Sequence, residues 1–514
     1  MANDDQLHIA MLPWLAFGHL IPFLQLAKLM ATKGHKITFI STPRNIHRLP
    51  QIPQTLSPFI TFLQIHLPNV DNLPPNAEST KDLPQEKVKY LKMASDGLRL
   101  PVTNFLKTSS PDWIIYDFTT YWLGPIAAEH GVLTAYFSVF PAVVLGYLGS
   151  PELLINGDYY HEPQEFSNLP KWVSFESHVR PSLFQFTRSN ENFNDDEAEN
   201  VSDAYRLGAT IHGCDAVVVR SSFDFEADWL KLLNHLYQKP VIPAGLLPAA
   251  GAEENTSWPE TREWLEKHEK GSVVYIAFGT ETKPNQYELT QIALGLELCG
   301  LPFYWVLIDQ RGPSDDVAIE LPRGYEERTR GRGVVCTRWA PQFKILSHDS
   351  VGVLLIHSGM SSVVEGLQLG KPLVLLPFLF DQGLIASYLV EKKMAYMIPR
   401  DELDGSFSPE SVADSLSLVM GKEEGKIYRD KAREMMTIFG GINFSSCLLS
   451  LSKPLSSWIC TLYSPSVIIA SSSINLISHA SSVSSRQPFH PAISGPIDDG
   501  HPIYADALHP SQIF

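Results

Sequence analysis

The stretch Val351-Gly-Val-Leu-Leu-Ile356, followed by His357-Ser-Gly-Met-Ser-Ser362, sets the terms for the rest of the chain. The almost wholly apolar run reads as a strand buried on both faces, and the turn after it leads into a helix over Ser362–Leu369. The unit repeats on either side. Downstream come a strand at Leu373–Leu376 and a helix at Gln382–Lys392; upstream come strands at Val273–Phe278, Phe303–Ile308 and Val334–Thr337 and a helix at Gln286–Cys299. Strands alternating with helices predict a parallel sheet covered on both faces.

The N-terminal half has the same rhythm. Leu7–Leu12 is an apolar run ending at Pro13; a helix follows, with Pro22 expected in its first turn and Gly34 just past its end, and Lys36–Ile40 resumes as a strand. Trp113–Tyr116, Leu133–Phe137 and Asp215–Val219 are further buried-strand runs. Between the halves, Lys239 to Pro259 is rich in proline and small residues and reads as a linker. The expected organisation is a first domain at 1–240, a linker at 241–261, a second domain at 262–444 and a tail at 445–514. Two such halves imply a ligand cleft between them, at the C-terminal ends of the strands. Ser150–Ser202 is less regular and rich in Tyr, Phe, Pro and Asn, which suits loops over a cleft or a variable surface excursion.

The 514 residues carry a net charge of −16, so a phosphate backbone would be repelled and nucleic acid is not an expected partner. Cys214, Cys299, Cys336, Cys447 and Cys460 are too scattered for a disulfide framework, which points to free thiols in a reducing compartment. Leu7–Met30 is fairly apolar, but Asp4 and Asp5 precede it and Pro13, His19 and Pro22 interrupt it. Neither a signal peptide nor a membrane span is expected, and the chain reads as a cytoplasmic monomer. The last 70 residues hold 18 serines and only five charged residues, with no sustained period, and do not read as a continuation of the domain before them.

Chemistry concentrates in Trp339–Gln382. Trp339-Ala-Pro-Gln342 offers a ring and an amide at a loop, and an aromatic face can stack on a planar base. The turn from His357 through Gly359 to Ser361 and Ser362 precedes a helix, where unpaired backbone N–H groups and the helix dipole favour an anion. The same residues also fit a plain N-cap by Ser361 or Ser362, with Glu365 closing a capping box. Glu365, one turn on, suits ribose hydroxyls, and Asp381-Gln382 after a strand suits either a polyhydroxylated ligand or an ordinary turn. Neither a P-loop nor a GxGxxG fingerprint is present, which counts against a nicotinamide-dependent oxidoreductase.

Trp339-Ala-Pro-Gln-x-x-Ile-Leu-x-His348, His357-x-Gly-x-x-Ser362-x-x-Glu365, Gly370-x-Pro372 and Asp381-Gln382 resemble the signature box of plant family 1 UDP-dependent glycosyltransferases, and the likeness extends to about Asn443. Pro13-Trp-Leu-Ala-Phe-Gly-His-Leu-Ile-Pro22 resembles the branch that adds a sugar to one already present on a flavonoid, terpenoid or saponin. The resemblance implies a GT-B fold, with two Rossmann-like domains facing across a cleft, the acceptor mostly on the first and the donor on the second. It implies that Trp339 stacks on uracil and that Gln342 and Glu365 hold the ribose. It likewise implies that Thr280, His357, Gly359, Ser361 and Ser362 surround the diphosphate, and that Asp381 and Gln382 hold the sugar. His19 matches the catalytic base and Asp117 its orienting partner. Transfer would invert the anomeric carbon, with UDP-sugar as co-substrate and neither cofactor nor metal; no D-x-D motif is present.

The box departs from its usual form at several positions. Ile356 replaces a usual Thr, Ser358 a usual Cys, Met360 a common Trp and Ser361 a common Asn. Leu379 stands where Trp is frequent and Phe380 where a hydroxyl residue is frequent, which removes polar groups near the sugar and favours rhamnose over glucose. The family's terminal helix crosses back onto the first domain, whereas the pattern here stops near Gly441-Ile-Asn443. An inactive, glycosyltransferase-like binding protein is therefore the rival expectation.

Overall fold

The computed structural model describes residues 6–157, 168–194, 201–249, 258–279, 284–307 and 320–441. Thr280, Cys447, Cys460 and the 445–514 tail lie outside the described residues. Two sheets organise the rest. The first contains β1 (His8–Leu12), β2 (Lys36–Ser41), β3 (Ile60–Gln64), β4 (Trp113–Tyr116), β5 (Leu133–Ser138), β6 (Ala216–Val219) and β7 (Val241–Pro243) in the order β3-β2-β1-β4-β5-β6-β7. The second contains β8 (Val273–Ala277), β9 (Phe303–Val306), β10 (Gly333–Cys336), β11 (Val351–Ile356), β12 (Leu373–Leu375) and β13 (Ala395–Met397) in the order β10-β9-β8-β11-β12-β13. Every strand pairing is parallel, as the alternating pattern predicts.

Side-chain alternation explains the apolar runs. In β1, Ile9 and Met11 enter one core while Ala10 and Leu12 enter another. In β11, Val353 and Leu355 face an outer core, while Leu354 and Ile356 join the cluster that also holds Leu12, Tyr116 and Tyr136 of the first half. Because both faces are covered, period-two alternation leaves no polar face in the sequence. One apolar cluster thus runs from the first half into the second.

Several boundaries differ from expectation. The first helix starts at Phe17, so His19 lies in its first turn and Pro22 lies inside the helix, where its missing N–H removes one helical bond. β3, an edge strand with mixed polarity, carried no clear signal. β7 pairs with β6, so the first sheet continues into the proline-rich stretch. The Gln286–Cys299 helix has the expected bounds and a capping box made by Asn285 and Glu288. Cys214, Cys299 and Cys336 are free thiols. Among the described residues no helix is long and apolar enough to cross a membrane.

Candidate functional site

Strand order explains why distant residues meet. In the first sheet the order reverses between β1 and β4, whose paired ends are Leu12 and Tyr116. The segments leaving those ends diverge and open a crevice. Asp117 follows β4 directly and is 1% exposed; His19 is reached through the turn after β1. Asp117 accepts from the Trp14 N–H at 3.0 Å and the Phe118 N–H at 2.8 Å, and His19 Nδ1 lies 2.8 Å from its Oδ2. A carboxylate can only accept, so Nδ1 is the protonated ring nitrogen and Nε2 carries the lone pair. Phe118 and Phe140 flank the imidazole, with ring centroids 5.9 and 5.6 Å from it.

The second sheet repeats the device. Its reversal lies between β8 and β11, with Ala277 beside Ile356. The segments leaving these strands bring Gly279 against His357. A Cβ on Gly279, which has φ +72°, would lie 2.7 Å from the imidazole, and one on Gly359 would lie 2.4 Å from Nε2. Only glycine fits on either side of this ring. Burial pushes His357 down to about 4, against a hydrogen bond involving the Ala277 backbone, so the ring is neutral at pH 7. Its Nδ1 is buried with no hydrogen-bond partner among the described residues.

The helix after this turn spans Met360–Gln368. Gly359 is its N-cap and no side chain caps it, so Ser361 and Ser362 lie within the first turn and the plain capping alternative is not observed. The orphan N–H groups of that turn remain available to an anion. Gln342 joins this helix: its Nε2 donates to Glu365 Oε2 at 2.6 Å and to Ser362 Oγ at 3.3 Å, and its Oε1 accepts from the Tyr275 hydroxyl at 3.1 Å. Trp339 is 54% exposed beside a cavity of about 640 Å³ lined also by Trp258, Thr261, Tyr304 and Ala340.

Asp381 and Gln382 begin the Phe380–Glu391 helix. Gln382 Oε1 accepts from the Phe378 and Leu379 N–H groups at 3.0 and 3.2 Å, so its oxygen caps the helix. Burial pushes the Asp381 carboxyl up to about 6, opposed by neighbouring backbone amides and by attraction from His19. The electrostatic influence of His19, from the first half, thus reaches the Asp381 carboxyl of the second.

Three features escaped the sequence reading. The 168–189 stretch clasps the second half. Ser177 Oγ and the His178 N–H donate to Glu391 at 2.8 and 2.7 Å, and the Phe380 N–H donates to Ser189 Oγ at 3.0 Å. Arg188 then reaches Glu288 at 2.9 Å. Arg220, 2% exposed, crosses from the end of β6 to Ser361. A cation directly after the buried Ala216–Val219 run is the one local signal that could have flagged it. Finally, the Lys426–Gly440 helix brings buried Phe439 edge-on to Phe225 of the first half, with centroids 5.1 Å apart.

The sequence profile of the UDP-glucoronosyl and UDP-glucosyl transferase family matches residues 215–438. UDP-glycosyltransferase 91A1 of Arabidopsis thaliana is 48% identical over 447 residues, which cover 86% of this chain and 94% of that protein. Soyasaponin III rhamnosyltransferase of Glycine max is 40% identical over 447 residues, covering 85% of this chain and 93% of that protein. A UDP-glucose: anthocyanidin 3-O-glucosyltransferase solved with UDP superposes with a TM-score of 0.70 at 24% identity, covering 90% of this chain and 100% of that one, so the fold is GT-B. Identity of this depth along nearly the full length of its relatives makes this chain a member of the plant family 1 UDP-dependent glycosyltransferases.

Proposed function

We propose that this UDP-glycosyltransferase transfers one sugar, rhamnose in preference to glucose, to a hydroxyl of a plant secondary metabolite that already carries a sugar, with inversion and without a metal ion. The observation that carries the mechanism is His19 Nδ1 held 2.8 Å from a buried carboxylate. Nε2 takes the proton of the acceptor hydroxyl as its oxygen attacks the anomeric carbon, and the bond from that carbon to the diphosphate oxygen breaks on the opposite side. Asp117 fixes the tautomer and stabilises the imidazolium that forms. The departing charge is met by the unpaired N–H groups at the head of the Met360–Gln368 helix, beside neutral His357. Among the described residues no three His, Cys, Asp or Glu side chains gather as metal ligands.

The preference for rhamnose rests on the sugar end of the cleft. Phe380 packs against Tyr147 and Phe186, with centroids 6.1 and 6.5 Å away, and offers no hydroxyl where the family often has one. Gln382 has spent its oxygen on the backbone. A sugar hydroxyl left unpaired there costs about 1–3 kcal/mol, and a 6-deoxy sugar lacks one. The name of the Glycine max relative, a saponin rhamnosyltransferase, favours the same donor and a glycosylated acceptor. Five scattered cysteines without a CxxC pair suit the reducing cytoplasm.

The test is competition between equal UDP-rhamnose and UDP-glucose on flavonoid and saponin glucosides, with and without EDTA, reading the product's anomeric configuration by NMR. Rhamnoside of inverted configuration, formed equally well with EDTA, is expected. A clear preference for glucose overturns the donor, and activity restored only by magnesium or manganese overturns the metal-free mechanism. Binding of UDP without transfer to any acceptor would instead support the inactive binding protein.

A further inference from the structure

We propose that Arg220, supplied by the first half, is a positioning residue for the donor's diphosphate: it fixes Ser361 at the head of the Met360–Gln368 helix and lends that end a buried positive charge. This rests on the reading of that helix as the donor site. Arg220 leaves the C-terminal end of β6. Its backbone N–H is tied to Ser138 O at 3.0 Å, Nε donates to Leu246 O at 3.0 Å, and Nη1 donates to Ser361 Oγ at 3.0 Å. No carboxylate among the described residues lies within ion-pair distance of it; Glu365 acts on it only from further away.

A guanidinium out of water with no carboxylate in ion-pair contact is costly, because hydration is lost and the more distant Glu365 offsets its charge only in part. Such a group persists where something else supplies the negative charge. The surroundings point to an anion. The Met360–Gln368 helix has no side-chain cap, so the N–H groups of its first turn face the same end as the guanidinium-held Ser361. A diphosphate at this end would meet helix N–H groups from the second half and the field of a cation from the first. As the glycosidic bond to UDP breaks, charge builds on the β-phosphate, and a fixed cation acts on it without reorganisation. Because Arg220 belongs to the acceptor half, its hold on Ser361 also sets the register of the two halves at the point of bond cleavage.

The experiment is calorimetric titration of the full chain and of its Arg220→Met, Arg220→Lys and Ser361→Ala variants with UDP and, separately, with uridine, which has no phosphate. Arg220→Met is expected to weaken UDP by about tenfold or more while uridine stays within about twofold. Arg220→Lys, which keeps the charge, is expected to recover part of the loss. Ser361→Ala is expected to fall between wild type and Arg220→Met, and in steady state kcat/KM for the UDP-sugar should drop while KM for the acceptor holds. Equal weakening of UDP and uridine, in Arg220→Met or, should that variant not fold, in Arg220→Lys, would show a purely structural latch and overturn the proposal. Unchanged UDP affinity in a folded Arg220→Met would do the same. A wild-type chain that bound no UDP would instead overturn the reading of the donor site on which the proposal stands.

Discussion

Gln342 donates from Nε2 to Glu365 Oε2 at 2.6 Å, so the two residues expected to hold the ribose are already joined to each other. The amide oxygen is in turn held by the Tyr275 hydroxyl, which fixes which end of Gln342 faces the carboxylate. Glu365→Gln would put an amide N–H group in competition for that contact. UDP affinity is expected to drop by roughly tenfold, with the fold unchanged by circular dichroism. Undiminished affinity in a titration would remove Glu365 from the donor site.

Asp117→Asn tests the base. An asparagine can present N–H toward Nδ1 and favour the wrong tautomer, although its size is unchanged. Its kcat is expected to fall by about 10²-fold or more, as is that of His19→Ala, while UDP affinity changes little. Near-normal turnover of either variant in a steady-state assay would sink the assignment. The double variant should be no slower than the worse single one, since the pair acts as a unit.

Gly359→Ala places a methyl carbon 2.4 Å from His357 Nε2, which the buried ring cannot clear without moving. The expected result is a destabilisation of about 1–3 kcal/mol in urea melts together with weakened UDP binding. A variant as stable as wild type with full UDP affinity would mean that the ring position is not critical.

The pH dependence of stability should report His357. Its folded pKa, pushed down to about 4, lies below the ordinary 6.5, so the folded chain resists the proton that the unfolded chain takes up. Stability from this residue is complete above about pH 6.5 and is lost as pH falls toward 4. Asp381, raised to about 6, acts in the opposite sense, its contribution being lost as pH rises from about 4 through 6. Urea denaturation of Asp381→Asn across this window is expected to show a steeper rise of stability with pH than wild type, and His357→Asn a flatter one. Parallel curves for all three proteins would contradict both shifts.

Phe439→Ala tests the contact between the Lys426–Gly440 helix and the first half. Phe439 is fully buried against Phe225, and truncation is expected to cost about 3–5 kcal/mol. If the contact also holds the halves in register, kcat should fall at temperatures well below the melting transition. A loss of stability with unaltered kcat would confine Phe439 to packing.

The sequence by itself determined the two parallel sheets, because strands buried on both faces read as near-continuous apolar runs, and Ile9–Leu12, Trp113–Tyr116 and Val351–Ile356 do so. Fixed spacing from Trp339 to Gln382 also made the family legible, since local turns and the helix after each strand carry those residues. Strand order, which no local pattern states, decided that His19 meets Asp117 and that Gly279 confines His357. Tertiary structure alone also showed that Gln382 spends its oxygen on the Phe378 and Leu379 amides. It alone placed Arg220 on Ser361 and clasped the 168–189 stretch onto Glu391. Those contacts join residues 141 and 214 positions apart, and they form only because one apolar cluster holds the two halves together. Hydrophobic periodicity records which face of an element is buried; it does not record what is buried against it.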